Sequence, residues 1–182
     1  TKQFSYMEFR MAIQIIDNFL PGLFFKKLEN IFNNKFNWFW NEKSVDSKIF
    51  QDDNFMFTHI LWDFDTGKSS PHFETFEPIL YFLDKHVKVK HLKRMKLNLY
   101  TNQGKRIDHA EHYDINDEKD KVMDNVDITV LNFTTCNGGT TIDNRDYKSI
   151  ENQALIFKNS FKHNGYVQTN NKRRIVLNIA TD

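Results

Sequence analysis

His112-Tyr113-Asp114 is followed about fifty residues later by His163, and then by the pair Arg173-Arg174. Two imidazoles and one carboxylate can occupy one face of an Fe(II) ion and leave the opposite positions open for substrate and oxygen. A basic residue some ten positions after the second histidine can hold the far carboxylate of an organic-acid cosubstrate. Residues of these types in this order point to a metal-dependent redox enzyme.

A His-x-Asp/Glu triplet is weak evidence by itself. The chain has 7 histidines and 24 acidic residues, so one such triplet is expected by accident. It has His72-Phe73-Glu74, His109-Ala110-Glu111 and His112-Tyr113-Asp114. His72 falls at an expected helix start. In an extended segment His109 and His112 face opposite sides, so only one of them looks inward. The polar stretch Asn116 to Lys121 follows directly, as expected at a barrel mouth, and favours the pair His112 and Asp114. His109 with Glu111 is the alternative. His59, His72, His86 and His91 are expected to be ordinary surface or core residues.

The bounds on function are broad. The 182 residues suit a single domain spanning 1–182, with a helical, aromatic-rich part over 1–93 and a double-sheet core over 94–182. Apolar residues make up 40% and aromatic residues 15%, enough for a packed core. A net charge of +1 leaves no basic track for nucleic acid. No apolar run reaches the roughly 20 residues of a membrane span. No apolar leader opens the sequence, and the single Cys136 fits a reducing compartment, so a cytoplasmic location is expected. Cys136 itself reads as a small, semi-buried side chain. No seam marks an oligomer interface.

The elements that must position these residues are legible from periodicity. Pro21 precedes Phe24, Leu28, Ile31 and Phe32 at helical spacing, and Pro71 and Pro78 precede Ile79, Leu80, Leu83 and Val87. These runs predict two amphipathic helices. Short strands and loops are expected over 36–65, which is dense in aromatics. From residue 94 the period becomes two: Met95, Leu97 and Leu99 alternate with Lys96, Asn98 and Tyr100. Ile128–Thr134, Ala154–Phe157 and Arg174–Ile179 read as strands, and Asn137-Gly138-Gly139 as a turn. Residues 115–126 read as an exposed, mobile loop. In the last strand Ile175, Leu177 and Ile179 should pack against the second sheet or the helices, leaving Arg174, Val176 and Asn178 to line a cavity. An arginine facing inward is costly unless it meets an anion. The architecture expected is α+β, mainly β: a double-stranded β-helix of jelly-roll or cupin-like type, with N-terminal helices packed on one sheet.

The residues from Leu97-Asn98-Leu99-Tyr100 through His112-Tyr113-Asp114, Ile128 to Phe133, Gly138-Gly139-Thr140-Thr141, Ala154 to His163 and Arg174 to Ile179 resemble the Fe(II)- and 2-oxoglutarate-dependent dioxygenases. The resemblance is to the prolyl 4-hydroxylase-like branch, and Ile15 to Leu20 is similar to its opening. The Asn-, Lys- and Phe-rich composition resembles bacterial or phage members. The resemblance implies that His112, Asp114 and His163 bind iron. It implies that Arg174 pairs with the distal carboxylate of 2-oxoglutarate, with Arg173 an alternative because the spacing from His163 is 11 residues. Tyr100 would approach the same carboxylate, and Asn98 lies on its face. Phe133 stands where several members carry a second cosubstrate-binding tyrosine. O2 and 2-oxoglutarate would be consumed, ascorbate would be a supporting reductant, and the product would be a hydroxylated C–H bond with succinate and CO2.

By resemblance the substrate is a prolyl residue of a peptide or protein, with the aromatic segment 36–64 and the loop 115–126 as closing walls. A free amino acid or another small molecule is the alternative. Nucleic-acid dealkylation is disfavoured, because no second arginine follows Arg174 by six residues. A non-catalytic jelly-roll binding module and a cupin-type metal enzyme are the readings from other classes.

Overall fold

A computed structural model of the protein describes residues 13–33, 36–44 and 54–182. Its strands form two antiparallel sheets. The larger has the order β1 (Gln14–Ile16), β9 (Ala154–Lys158), β6 (Asp127–Asn132), β11 (Arg173–Thr181), β5 (Leu92–Thr101), β3 (Met56–Asp63), β2 (Phe39–Asn41), with β4 (Gly67–Lys68) paired to β3. The smaller has the order β10 (His163–Tyr166), β7 (Gly139–Ile142), β8 (Arg145–Lys148). Helices α1 (Gly22–Phe32), α2 (Phe73–Phe76) and α3 (Ile79–Leu83) pack on the larger sheet. The protein is therefore mainly β, a jelly-roll with helices outside one sheet. Among the described residues no helix is long and apolar enough to cross a membrane.

Strand alternation divides the interior in two. Leu97 and Leu99 of β5 and Ile175, Leu177 and Ile179 of β11 face the helices and join Phe25, Leu28, Phe76 and Leu83 in one apolar cluster. Tyr100 and Val176, one residue out of phase, face the smaller sheet with Val130, Ile142 and Phe157. Each fully buried side chain of this kind contributes about 1.5–3 kcal/mol. The register of β11 on β5 sets Arg174 opposite Tyr100, Val176 opposite Asn98 and Asn178 opposite Lys96.

Several expectations are corrected. The helical pattern after Pro71 is broken into α2 and α3 by Pro78, which has no N–H to continue the first turn, and Val87 lies beyond both helices. In the aromatic segment, Phe36, Trp38, Phe57 and Trp62 pack against the helical core, while Phe39, Trp40 and Phe64 are exposed. None of them lines the cavity described below. Residues 34–35 and 45–53 of that segment lie outside the described residues. Asn116–Lys121 is exposed, but it is closed as a turn by the Asp117 carboxylate, which accepts from the Lys119 and Lys121 amides at 2.8 and 2.9 Å.

Phe133 faces the helices rather than the space between the sheets. It stacks on Phe25 and meets Phe32 edge-on, with centroids 5.1 Å apart in both pairs. It therefore does not stand where a cosubstrate-binding tyrosine would point. Phe133→Ala is expected to cost about 3–5 kcal/mol through the cavity it leaves between helix and sheet. Denaturant unfolding measures this as a lower midpoint with an unchanged slope.

Candidate active site

His112 and His163 are brought together by backbone pairing. The His112 N–H donates to the His163 carbonyl at 3.0 Å, and the His163 N–H returns the bond at 3.2 Å. Such a pair holds the two Cα atoms about 5.5 Å apart, and the imidazole centroids lie 4.6 Å apart. Each ring is oriented by a carbonyl two residues before it. His112 Nδ1 lies 3.1 Å from the Ala110 oxygen, and His163 Nδ1 lies 3.3 Å from the Phe161 oxygen. A carbonyl only accepts, so each Nδ1 donates, and each Nε2 is left as the nitrogen that can meet a ligand. Burial pulls the His112 imidazole down to about 4, although Asp114 opposes this, so its ring is neutral at neutral pH.

Asp114 completes the group. Its backbone is fixed by Asn159, whose Oδ1 accepts from the Asp114 and Ile115 amides at 2.9 and 3.2 Å. Asn159 Nδ2 donates to the Ile115 and Met123 carbonyls, so this fully buried amide uses both ends. Asn178 Nδ2 donates to Asp114 Oδ2 at 3.1 Å, and Arg94 Nη2 pairs with Oδ1. Burial pushes the carboxyl up, but Arg94, His163 and His112 outweigh it and hold it well below the usual carboxylate range.

Ligand atoms of His112, Asp114 and His163 all lie within 4.8 Å of one another. His163 Nε2 is 3.0 Å from Asp114 Oδ2, yet this buried nitrogen makes no hydrogen bond. A cation placed between them, a proton or a metal ion, relieves the repulsion. Two imidazoles and one carboxylate on a common centre fit a divalent ion such as Fe(II).

The cavity runs from this group to Arg174, between β5 and β11 on one side and β7 and β10 on the other. Arg174 is 1% exposed. Its Nη1 donates to the Tyr166 carbonyl at 3.3 Å and its Nη2 to Thr140 Oγ1 at 3.2 Å. The guanidinium lies 5.0 Å from the Tyr100 ring centre. Among the described residues no carboxylate pairs with it, and its Nε is buried without a partner. Burial lowers the Arg174 pKa, which measures the cost of its charge. Asn98 Nδ2 contacts the Tyr100 hydroxyl at 3.5 Å, and the Asn98 carbonyl oxygen is buried and unpaired. A Cβ added at Gly165 would come within 3.5 Å of the Tyr100 hydroxyl and 3.7 Å of Arg174 Nη1. The glycine thus keeps open the space that an anion on Arg174 requires. Arg173 points outward and donates to Asn33 Oδ1 at 3.1 Å.

One sequence expectation fails here. His109 also lines the cavity, with its ring centre 5.1 Å from that of Tyr100. Asp108 pairs with Tyr166 and His112 with His163, four steps along one segment against three along the other. The extra residue is a bulge that reverses the alternation, so both histidines face inward. The other histidines stay outside: His59, for example, bonds the Asn37 carbonyl and Ser70 Oγ at 2.7 and 2.6 Å. Sequence reasoning missed Arg94, Lys96 and Asn159. The period of two that turned Asn98 and Tyr100 inward could have found the first two, since Arg94 and Lys96 share that face.

Arg94→Met leaves the Asp114 carboxylate without its cation. The metal-free protein should lose about 2–3 kcal/mol, less than a fully buried pair would, because 19% of the Arg94 side chain is exposed. Added Mn(II) should recover most of that loss by replacing the missing charge. Denaturant unfolding with and without the ion reads both effects, and an equal loss in both would take Asp114 out of the metal site.

No protein-family model matches the sequence, and no curated protein matches it. Solved structures do match. An oxidoreductase of the 2OG-Fe(II) oxygenase family from Burkholderia pseudomallei superposes with a TM-score of 0.67 at 9% identity, covering 99% of this chain and 92% of that one. The viral collagen prolyl hydroxylase of Paramecium Bursaria Chlorella virus-1, in its 2OG complex, gives 0.55 at 13% identity, covering 92% and 94%. A Trichoplax adhaerens prolyl hydroxylase in complex with a hypoxia inducible factor peptide fragment gives 0.60 at 13%, covering 93% and 83%. The chain has the fold these 2OG-Fe(II) oxygenases and prolyl hydroxylases share.

Proposed function

We propose that this protein is an Fe(II)- and 2-oxoglutarate-dependent oxygenase that hydroxylates an unactivated C–H bond, with a prolyl residue of a peptide or protein as the substrate. The observation that carries the reading is the pairing of two needs in one cavity. Two imidazoles and a carboxylate offer a cation site at one end, and a buried arginine that pairs with no carboxylate of the described residues calls for an anion at the other. A dicarboxylic oxo acid bound to a metal answers both. The prolyl substrate is supported by the resemblance of the sequence and by the fold shared with prolyl hydroxylases.

His112, Asp114 and His163 would hold the iron. When bound, iron and 2-oxoglutarate supply the oxygen chemistry: one atom of O2 enters succinate as CO2 leaves, and the other enters the C–H bond. The remaining work belongs to the chain. Arg174 takes the distal carboxylate in a charge-assisted, two-pronged contact, and the Tyr100 hydroxyl donates to the same group. Asn98 lines the path between that end and the metal ligands. The apolar wall of Val130, Val176 and Met56 limits water around the reacting atoms.

Two variants test the reading. With Fe(II), ascorbate and a prolyl peptide, the wild type should form succinate from 2-oxoglutarate, and His112→Ala should not. Arg174→Met should separate stability from function. Removing an unpaired buried cation should leave the ligand-free protein as stable or up to about 3 kcal/mol more stable. The same change should weaken 2-oxoglutarate binding on the order of 100-fold. Loss of stability without loss of 2-oxoglutarate affinity would make Arg174 a structural residue and end this reading.

A further inference from the structure

Lys96 lies on the inward face of β5, between Arg94 and Asn98, and lines the cavity. Its neighbours on that face have work already. Arg94 is bonded to Asp114, and Tyr100 stands opposite Arg174. Lys96 is half-buried and makes no ion pair among the described residues. Burial and Arg94 work against its charge, and Asp114, which favours it, is already held by Arg94.

Its place along the strand separates it from the Arg174 end. Tyr100 is four residues further on, roughly 13 Å at the usual strand rise. Across the sheet Lys96 is flanked by Asn178 on one side and Ile60 on the other. Arg174 is 1% exposed, whereas Ile60 is 41% exposed. The Arg174 end is therefore closed, and the half-buried Lys96 lies toward the more open end of the cavity. With a divalent ion on the triad and a dicarboxylate on Arg174, the Lys96 charge still lacks a counterion among the described residues, and a half-buried charge of that kind calls for one.

We propose that Lys96 binds a carboxylate of the substrate, so that the enzyme selects a molecule carrying a free carboxylate over an uncharged internal residue of a peptide. This inference rests on the oxygenase reading above. It keeps the oxygenase chemistry and replaces the internal prolyl residue by a free amino acid or a carboxyl-terminal residue as the substrate.

Calorimetric titration of the protein loaded with Mn(II) and 2-oxoglutarate tests it without turnover. The probes are L-proline, L-leucine and glycyl-L-proline, each against its amide. At least one carboxylate should bind roughly 10- to 100-fold more tightly than its amide, the range of one charge-assisted hydrogen bond. Lys96→Met should erase that preference and leave the affinity for 2-oxoglutarate within about twofold of wild type, which also shows that the variant folds. Three results overturn the proposal: equal affinity for carboxylate and amide, no binding of any carboxylate by protein that binds 2-oxoglutarate, or weakened 2-oxoglutarate binding in Lys96→Met. The last would assign the lysine to the cosubstrate. Failure of the wild type to bind 2-oxoglutarate with Mn(II) would instead remove the oxygenase reading itself, and this proposal with it.

Discussion

Arg174 carries a full positive charge at 1% exposure, with a carbonyl, a hydroxyl and an aromatic face around it and no described carboxylate to pair with. A fold tolerates such a group at a cost of several kcal/mol unless something outside the chain offsets it. The surroundings maintain that cost. Gly165 leaves room beside the guanidinium, Tyr100 lies along it, and the register of β11 on β5 prevents it from turning to solvent. Shifting that register by one residue would send Arg174 into the helical core and bring Ile175 to the cavity. The packing of Leu177 and Ile179 against the helices is thus what holds the charge inside.

At the other end the same economy of space produces the donor group. Two backbone hydrogen bonds join His112 to His163, the carbonyls of Ala110 and Phe161 set their tautomers, and Asn159 holds the turn that delivers Asp114. Arg94 and Asn178 grip the carboxylate from the larger sheet. The two sheets meet at this carboxylate, so stability and any metal affinity are coupled there. A cation that binds the triad competes with Arg94 for the charge of Asp114.

Much of this was legible because strands and charges obey simple periods. The alternation in Met95–Tyr100 and Arg174–Ile179 separates helix-facing from cavity-facing residues, and it places Arg174 inside and Arg173 outside. The same alternation misled the reading of His109, because a bulge reverses phase without a mark in the sequence. Phe133 follows Leu131 by two residues and shares its helix-facing side, so the same alternation turns it away from the cavity. Arg94 and Asp114 are joined across 20 positions, and Asp114 and Asn159 across 45, so neither contact has a local signature. The helices have apolar faces to cover and take Phe36, Trp38 and Trp62 of the aromatic segment, whereas Ser44 and Met56 of the same segment line the cavity.

The proposed chemistry requires one cavity to bind a metal and a dicarboxylic oxo acid together. Anaerobic titration of the Fe(II)-loaded protein with 2-oxoglutarate measures this directly, through the visible charge-transfer absorption that a 2-oxo acid gives when it chelates Fe(II). The band should grow to saturation at one equivalent in the wild type and be missing in His163→Ala. Absence of the band in folded wild-type protein, with no dependence of 2-oxoglutarate binding on the metal, would contradict the account and leave a jelly-roll that binds something else.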